Sequence, residues 1–269
     1  MSPFLKYRLK KALGALGIRP NGAQPARSSL EQFCRHLRSL GFEPQTIIDV
    51  GVADGTFDIY TVFPDARYLL IEPMAEFRPA LDWICAHYKA EAILAAVSAE
   101  DGEKTIRFGS SMADMHGASL INLNSNIEEE TNARIVPVRR LERLVRERNL
   151  PSPMMIKIDV QGAELDVIRG AEDILTQVDV IILETALFDF ETSQPLIADS
   201  INFMSERGFV PYDIFAAFNR PLDNALGWCD IAYVQRHGIF RKDQRFRDHS
   251  LPPTIGQRLV GSARRLLNI

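Results

Sequence analysis

Apolar runs without alternation recur along the chain, and most of them end at a glycine or a carboxylate. Residues 46–50 lead into Gly51, 68–71 into Glu72, 154–158 into Asp159 and 178–183 into Glu184. Such runs read as parallel strands buried on both faces. Between them lie helical stretches. One starts at Ser29 as a cap and stops at Gly41 near residue 40; others are expected over 76–90, 141–149, 163–170 and 195–207. Residues 92–97 read as a third strand, closed by a turn over 98–102. The last two strands, 208–214 and 228–235, flank a turn at 219–224 that favours an antiparallel hairpin. The alternation predicts a Rossmann-like α/β domain over 45–238. Its sheet has seven strands, mostly parallel with an antiparallel final strand, and helices on both faces. An insertion at about 104–138 interrupts it, with short strands at 105–108 and 134–138 around a polar loop. Outside the domain, residues 1–44 read as a basic helix, a linker and a covering helix, and 239–269 as a basic tail with one helix.

The chemistry concentrates in the turn after the first strand, Asp49-Val50-Gly51-Val52-Ala53-Asp54-Gly55. Gly51 and Gly55 allow a close approach of backbone to ligand. Glu72, at the tip of the second strand, is placed to accept hydrogen bonds from a ribose. The pair predicts a cofactor containing a nucleoside. A dinucleotide fingerprint needs a glycine where Ala53 stands and another where Thr56 stands. What remains, Asp-x-Gly-x-Ala-x-Gly, is similar to the first motif of S-adenosylmethionine (SAM)-dependent methyltransferases, in which Asp49 has a role near the methionine amino group. An oxidoreductase and a SAM-fold scaffold without catalysis are the competing readings. Asp159 and Glu184 fall on the same sheet edge as Asp49 and Glu72, where open α/β sheets bind ligands. Ser98, after the third strand, is a candidate neighbour of the adenine. His116 lies in the polar loop.

Charge and cysteines narrow the setting. The net charge is −4, yet residues 1–20 hold five basic residues and no acid, and 241–269 are also basic. An acidic middle argues against a nucleic-acid binder. The N-terminal helix suits packing on the domain or on a second subunit as a homo-oligomer, and the basic ends also suit peripheral contact with anionic lipid. Cys34, Cys85 and Cys229 are odd in number and widely spaced, which suggests neither a disulfide framework nor a zinc site. A cytoplasmic protein is expected, with the inner membrane face as an alternative location, since no run is long enough to span a bilayer.

Three blocks resemble the FkbM family of SAM-dependent methyltransferases over roughly residues 45–215. They are Ile48-Asp49-Val50-Gly51-Val52-Ala53-Asp54-Gly55, Ile71-Glu72-Pro73, and Ile156-Lys157-Ile158-Asp159-Val160-Gln161-Gly162-Ala163-Glu164 with Ile168-Arg169-Gly170-Ala171. The family usually continues its first motif Gly-Ala-Asn, where this chain has Gly51-Val52-Ala53. The resemblance implies a class I methyltransferase sheet. It also implies SAM as cofactor, held by Asp49, Gly51, Ala53, Gly55, Glu72, Ser98 and Asp159. The expected acceptor is a hydroxyl of a sugar or glycoconjugate, with a lipid or polyketide-like hydroxyl as the alternative. A sugar hydroxyl is a poor nucleophile and benefits from a general base. Asp159, Glu184 and His116 are the candidates. Mg²⁺ at the two strand-end acids is a further option, though two acids are too few to assign a metal site.

Overall fold

The apolar run at 46–50 forms β1 (Thr46–Val50), and all five of its residues are buried. A computed structural model of the chain describes Arg8 and residues 26–108, 132–190 and 194–245. The chain divides into the unit Ser28–Lys242 and a unit made of Met1–Arg27 with Asp243–Ile269. The basic helix expected near the N-terminus, Arg8 apart, the helix expected over 255–267 and His116 all lie outside the described residues.

Within Ser28–Lys242 the strands are β1, β2 (Arg67–Ile71), β3 (Ala90–Ile93), β7 (Met154–Ile158), β8 (Val178–Ala186), β9 (Phe209–Asn219) and β10 (Leu226–Gln235). They form one sheet in the order β3-β2-β1-β7-β8-β10-β9. β1, β2, β3, β7 and β8 pair in parallel, while β10 runs antiparallel to both β8 and β9. This is the expected mostly parallel sheet closed by a hairpin. β9 runs five residues past the predicted end because it stays paired with β10 up to Asn219 opposite Leu226, through register shifts.

Successive side chains on a strand point to opposite faces, so each face has its own apolar layer. Ile48, Val50, Ile156, Ile158 and Leu183 pack with α4 (Leu141–Glu147) and α5 (Glu164–Arg169). Ile47, Leu70, Met155 and Ile182 pack on the other face with α1 (Leu30–Ser39), α2 (Phe57–Tyr60) and α3 (Arg78–His87). α6 (Ile197–Glu206) adds Met204 to the first layer. Ser29 caps α1, its hydroxyl accepting from the Gln32 amide, and the helix buries Leu30, Phe33, Cys34 and Leu37.

The third strand is not continuous as the sequence reading has it. β3 ends at Ile93. β4 (Ala96–Val97) leaves the main sheet to pair in parallel with β6 (Asn132–Arg139), which is itself antiparallel to β5 (Gly102–Phe108). The inserted segment brings its own partner strand, and Ala96 is buried with Phe77, Ile106, Phe108, Val136 and Val138 in a separate small core. The small sheet is tied to the main one at Gly170, the C-cap of α5, where an added Cβ would lie 2.2 Å from the Ser98 carbonyl oxygen.

Gly170→Ala therefore lowers the unfolding free energy by about 2 kcal/mol or more, as overpacked sites do. Gly41→Ala, at φ 84° with no neighbour within 4 Å of its Cβ, costs only the left-handed strain of about 1 kcal/mol. Urea titrations of the two variants compare these losses, and equal losses would remove the close approach at Gly170 from the account.

Candidate active site

The carboxyl ends of β2, β1, β7 and β8 carry the candidate residues, and the backbone there is tightly tied. The Gly51 amide donates to the Ile71 carbonyl at 2.9 Å, and the Asp159 amide donates to the Val50 carbonyl at 2.9 Å. Gly51 has φ 79°, and a Cβ there would sit 1.8 Å from the Asp159 carbonyl oxygen. No other residue fits between the β1 and β7 loops. Ala53 (φ 45°) and Gly55 (φ 110°) are also left-handed, so the loop curls at every second residue. The curl turns the Ala53 amide toward Glu72, whose Oε2 accepts it at 2.9 Å while Oε1 accepts the Met74 amide at 2.8 Å. Two backbone amides thus fix a buried carboxylate at the tip of β2.

Above this loop lies a cavity of about 540 Å³. Gly51, Ala53, Gly55, Glu72 and Asp159 line it, so five of the predicted site residues come together. Ser98 is not among the lining residues. Its hydroxyl accepts from Lys104 Nζ at 2.7 Å, and Ala95, Ala96 and Val97 just before it form the wall instead. Asp49 lies behind the loop, fully buried. Tyr60 donates its hydroxyl to Oδ2, and Oδ1 is buried without a hydrogen-bond partner. Burial raises the Asp49 pKa against the opposing pull of Lys157 and Tyr60. Glu184 faces a small neighbouring crevice with Gln161, Gln194 and Trp228 rather than the main cavity.

Lys157 organises the acids. Asp49 is its direct partner across β1 and β7, and its ammonium donates to Asp159 Oδ2 at 2.8 Å. Burial disfavours the ammonium, but Asp159 and Asp49 more than offset this and raise its pKa. Gln161 donates to Asp159 Oδ1 at 2.8 Å and to Glu184 Oε2 at 3.2 Å. Burial pushes the Asp159 pKa up, yet Lys157 and the hydrogen bonds from its neighbours outweigh burial and hold it below the usual value. Glu184 is pushed up to about 8 by burial and then by the charges of Asp159 and Asp230. Among the described residues no group of three or more His, Cys, Asp or Glu is arranged to hold a metal ion.

Two residues stand out that the sequence reading missed or left in a minor role. Asp230, on β10, lines the main cavity and is the direct cross-strand partner of Glu184. Its signal in the sequence is an acid inside the otherwise apolar run Trp228-Cys229-Asp230-Ile231-Ala232. Glu164 folds back from α5 to accept the Val160 amide at 3.2 Å and the Gly162 amide at 3.0 Å. These bonds stabilise a turn in which Gln161 (φ 54°) and Gly162 (φ 97°) are both left-handed. Burial outweighs those amides and pushes Glu164 up to about 7.

The cavity suits SAM. The fixed Glu72 carboxylate is placed for a ribose diol, Phe77 and Ala95–Val97 offer an apolar wall for a flat base, and carboxylates favour a ligand that carries sulfonium and ammonium charges.

Two predictions follow from the strained and buried groups. Asparagine tolerates the left-handed region better than alanine, so Ala53→Asn stabilises the protein by about 0.5–1 kcal/mol, read as a rise in the midpoint of thermal unfolding. An unchanged or lower midpoint would contradict the strain at Ala53. The second concerns pH. Glu164 has a folded pKa above its unfolded value, so its contribution is complete at low pH and is lost as pH rises through about 7. A shift from 4.5 to about 7 corresponds to about 3 kcal/mol. Thermal melts between pH 4 and 9 should show this stability falling from about pH 4.5 to about 7 and levelling off above, with a shallower fall in Glu164→Gln; parallel curves would show that Glu164 does not titrate there.

The chain is similar to several known proteins. Over 173 residues the chain is 27% identical to the AMB antimetabolite synthetase AmbE of Pseudomonas aeruginosa, which covers 51% of this chain and 8% of that protein. Among solved structures, the SAM-bound magnesium protoporphyrin IX methyltransferase ChlM of Synechocystis PCC 6803 aligns with a TM-score of 0.43 and 10% identity, covering 86% of this chain and 96% of that one. Aeropyrum pernix fibrillarin with bound SAM aligns with a TM-score of 0.40 and 14% identity, covering 71% of this chain and 67% of that one. The Methyltransferase FkbM domain matches residues 49–211, which span the cofactor loop, Glu72 and the Lys157–Glu164 segment. The match takes in more than half of the chain, and the protein belongs to the FkbM family of SAM-dependent methyltransferases.

Proposed function

We propose that the protein transfers the methyl group of SAM to a hydroxyl of a sugar or glycoconjugate. The observation that carries this reading is the acidic wall of the cavity beyond the cofactor loop. Asp159 and Asp230 line it, and Lys157, the cation that lines it among the described residues, is already bound to Asp159. Carboxylates accept hydrogen bonds and repel anions. Such a wall suits a neutral acceptor rich in hydroxyls and disfavours phosphate-bearing polymers such as nucleic acid. A lipid or polyketide-like hydroxyl would meet the same acids but would use fewer of them.

Methyl transfer from a sulfonium is an in-line displacement, so alignment of the acceptor oxygen does much of the work. In this reading Glu72 and the Gly51–Gly55 loop hold the nucleoside part of the cofactor. Asp159, fixed by Lys157 and Gln161, accepts a hydrogen bond from the acceptor or from the methionine ammonium. With 34% of its side chain exposed, Asp159 can still reach a ligand.

Calorimetry tests the cofactor half of the proposal. Wild type should bind SAM and S-adenosylhomocysteine with micromolar affinity, and Glu72→Ala should weaken both by roughly 10- to 100-fold, the worth of hydrogen bonds to a charged group. Turnover of methyl glycosides, measured with and without Mg²⁺, tests the acceptor half. Tight SAM binding with no transfer to any glycoside would sink the sugar reading.

A further inference from the structure

The reaction needs a group that takes the hydroxyl proton, and the residues that the fold brings to the cavity differ in their ability to do so. Asp159 has one oxygen on Lys157 and the other on Gln161, at 2.8 Å each. A carboxylate held in this way is a weak proton acceptor. Glu184 accepts from Gln161 and faces the small crevice. Asp49 is sealed behind the loop with Tyr60. Asp230 shares the cavity lining with Asp159, unlike Glu184 and Asp49, and differs from Asp159 in its place on the sheet. It lines the main cavity, and it belongs to β10, four strands along the sheet from β2, where Glu72 sits. At about 4.8 Å between neighbouring strands that separation is roughly 19 Å, so Asp230 stands at the end of the cavity away from the ribose position. It also lies beyond the segment matched by the family, which ends at residue 211.

We propose that Asp230 is the general base of the methyl transfer and accepts the proton of the acceptor hydroxyl. The proposal rests on the hydroxyl-acceptor reading above. As the bond from the acceptor oxygen to the methyl carbon forms, the carbon–sulfur bond breaks and its electron pair leaves with sulfur. The hydroxyl proton passes to an Asp230 carboxylate oxygen and from there to water at the cavity mouth.

The surroundings poise Asp230 for this exchange. Across β8 it faces Glu184, and like charges directly opposite in a sheet are unfavourable. From beyond β8 the charges of Lys157, on β7, and of Asp159, just past its end, act on it; its partner on β9 is the apolar Phe215, and Asp58 of α2 lines the same cavity. Burial, reinforced by Asp159 and opposed by Lys157, pushes Asp230 up to about 7. A base of that strength is available at neutral pH and takes protons better than an ordinary aspartate.

The test uses the full-length protein, SAM and a panel of methyl glycosides. In wild type, kcat should rise with pH through an apparent pKa near 7. Asp230→Asn should lose 10²- to 10⁴-fold in kcat and lose that pH limb, with the SAM dissociation constant unchanged by calorimetry. Asp230→Glu should recover at least tenfold of the lost rate and restore the limb. Glu184→Gln should keep a limb, which separates the two acids. An Asp230→Asn enzyme within threefold of wild type, or one that keeps the limb, overturns the assignment of the base and leaves the acceptor reading standing. Loss of SAM binding in Asp230→Asn also overturns it, because the residue would then be serving the cofactor or the fold. A wild type that binds SAM but methylates no glycoside overturns the acceptor reading and the base with it.

Discussion

The ion pair between Lys157 and Asp159 is the constraint on which the carboxyl edge of this sheet depends. An unpaired buried ammonium is costly, and so is an unpaired buried carboxylate. The fold brings Asp49, Asp159, Glu164, Glu184 and Asp230 to one edge, and Lys157 is the buried lysine among them in the described residues. Burial and mutual repulsion disfavour having all of them ionised at once. Lys157 decides which are, because its ammonium touches Asp159 and lies opposite Asp49 on the next strand. Asp159 takes the charge, and Glu184, Glu164 and Asp230 are left with a stronger hold on their protons. The spacing explains how one lysine manages this. Lys157 is the next-to-last residue of β7 and Asp159 follows its end, two residues on, where the ammonium reaches the carboxylate at 2.8 Å.

The same pair of strands also fixes the backbone. β1 and β7 approach so closely that Gly51 rests on the Asp159 carbonyl, and both loops leave their strands through left-handed residues. In the second loop Gln161 and Gly162 are left-handed in succession, and Glu164 reaches back to hold two amides of that turn. The segment from Lys157 to Glu164 therefore reads mainly as architecture. Its lysine neutralises, its glutamine orients Asp159, its glycine turns and its glutamate locks the turn. A loop held in this way presents Asp159 to the cavity in one orientation, which is what an in-line transfer requires of its first neighbours.

Most of the fold was legible because parallel strands buried on both faces leave uninterrupted apolar runs, and β1, β2, β7 and β8 all do so. The cofactor loop was legible because Gly51 and Gly55 sit where left-handed torsions and close approach are needed, and Glu72 stands at a strand end. The third strand was less so. Residues 92–97 look like one run, yet the chain crosses from one sheet to another at Leu94–Ala95, since Ala96 and Val97 have a second partner in β6. Apolar character does not say which of two cores a residue joins. Ser98 follows the same path: leaving the sheet carries it just past the lining residues, where its hydroxyl meets Lys104.

Asp230 escaped notice for a different reason, which lies in strand direction. In a parallel sheet, residues at the functional edge come at the ends of strands, so scanning for acids after apolar runs finds Glu72, Asp159 and Glu184. β10 runs the other way. Its contribution to that edge comes near its beginning, at Asp230, before the apolar stretch from Ile231 to Val234 rather than after it. The antiparallel strand thus lets the sheet carry a carboxylate on two neighbouring strands, Glu184 at the end of one and Asp230 near the start of the next, directly opposite each other. Two acids so placed disfavour each other's ionisation, which raises the proton affinity of the pair. A wholly parallel sheet would need another crossover helix to bring a second acid there, whereas a hairpin supplies it by reversing the chain.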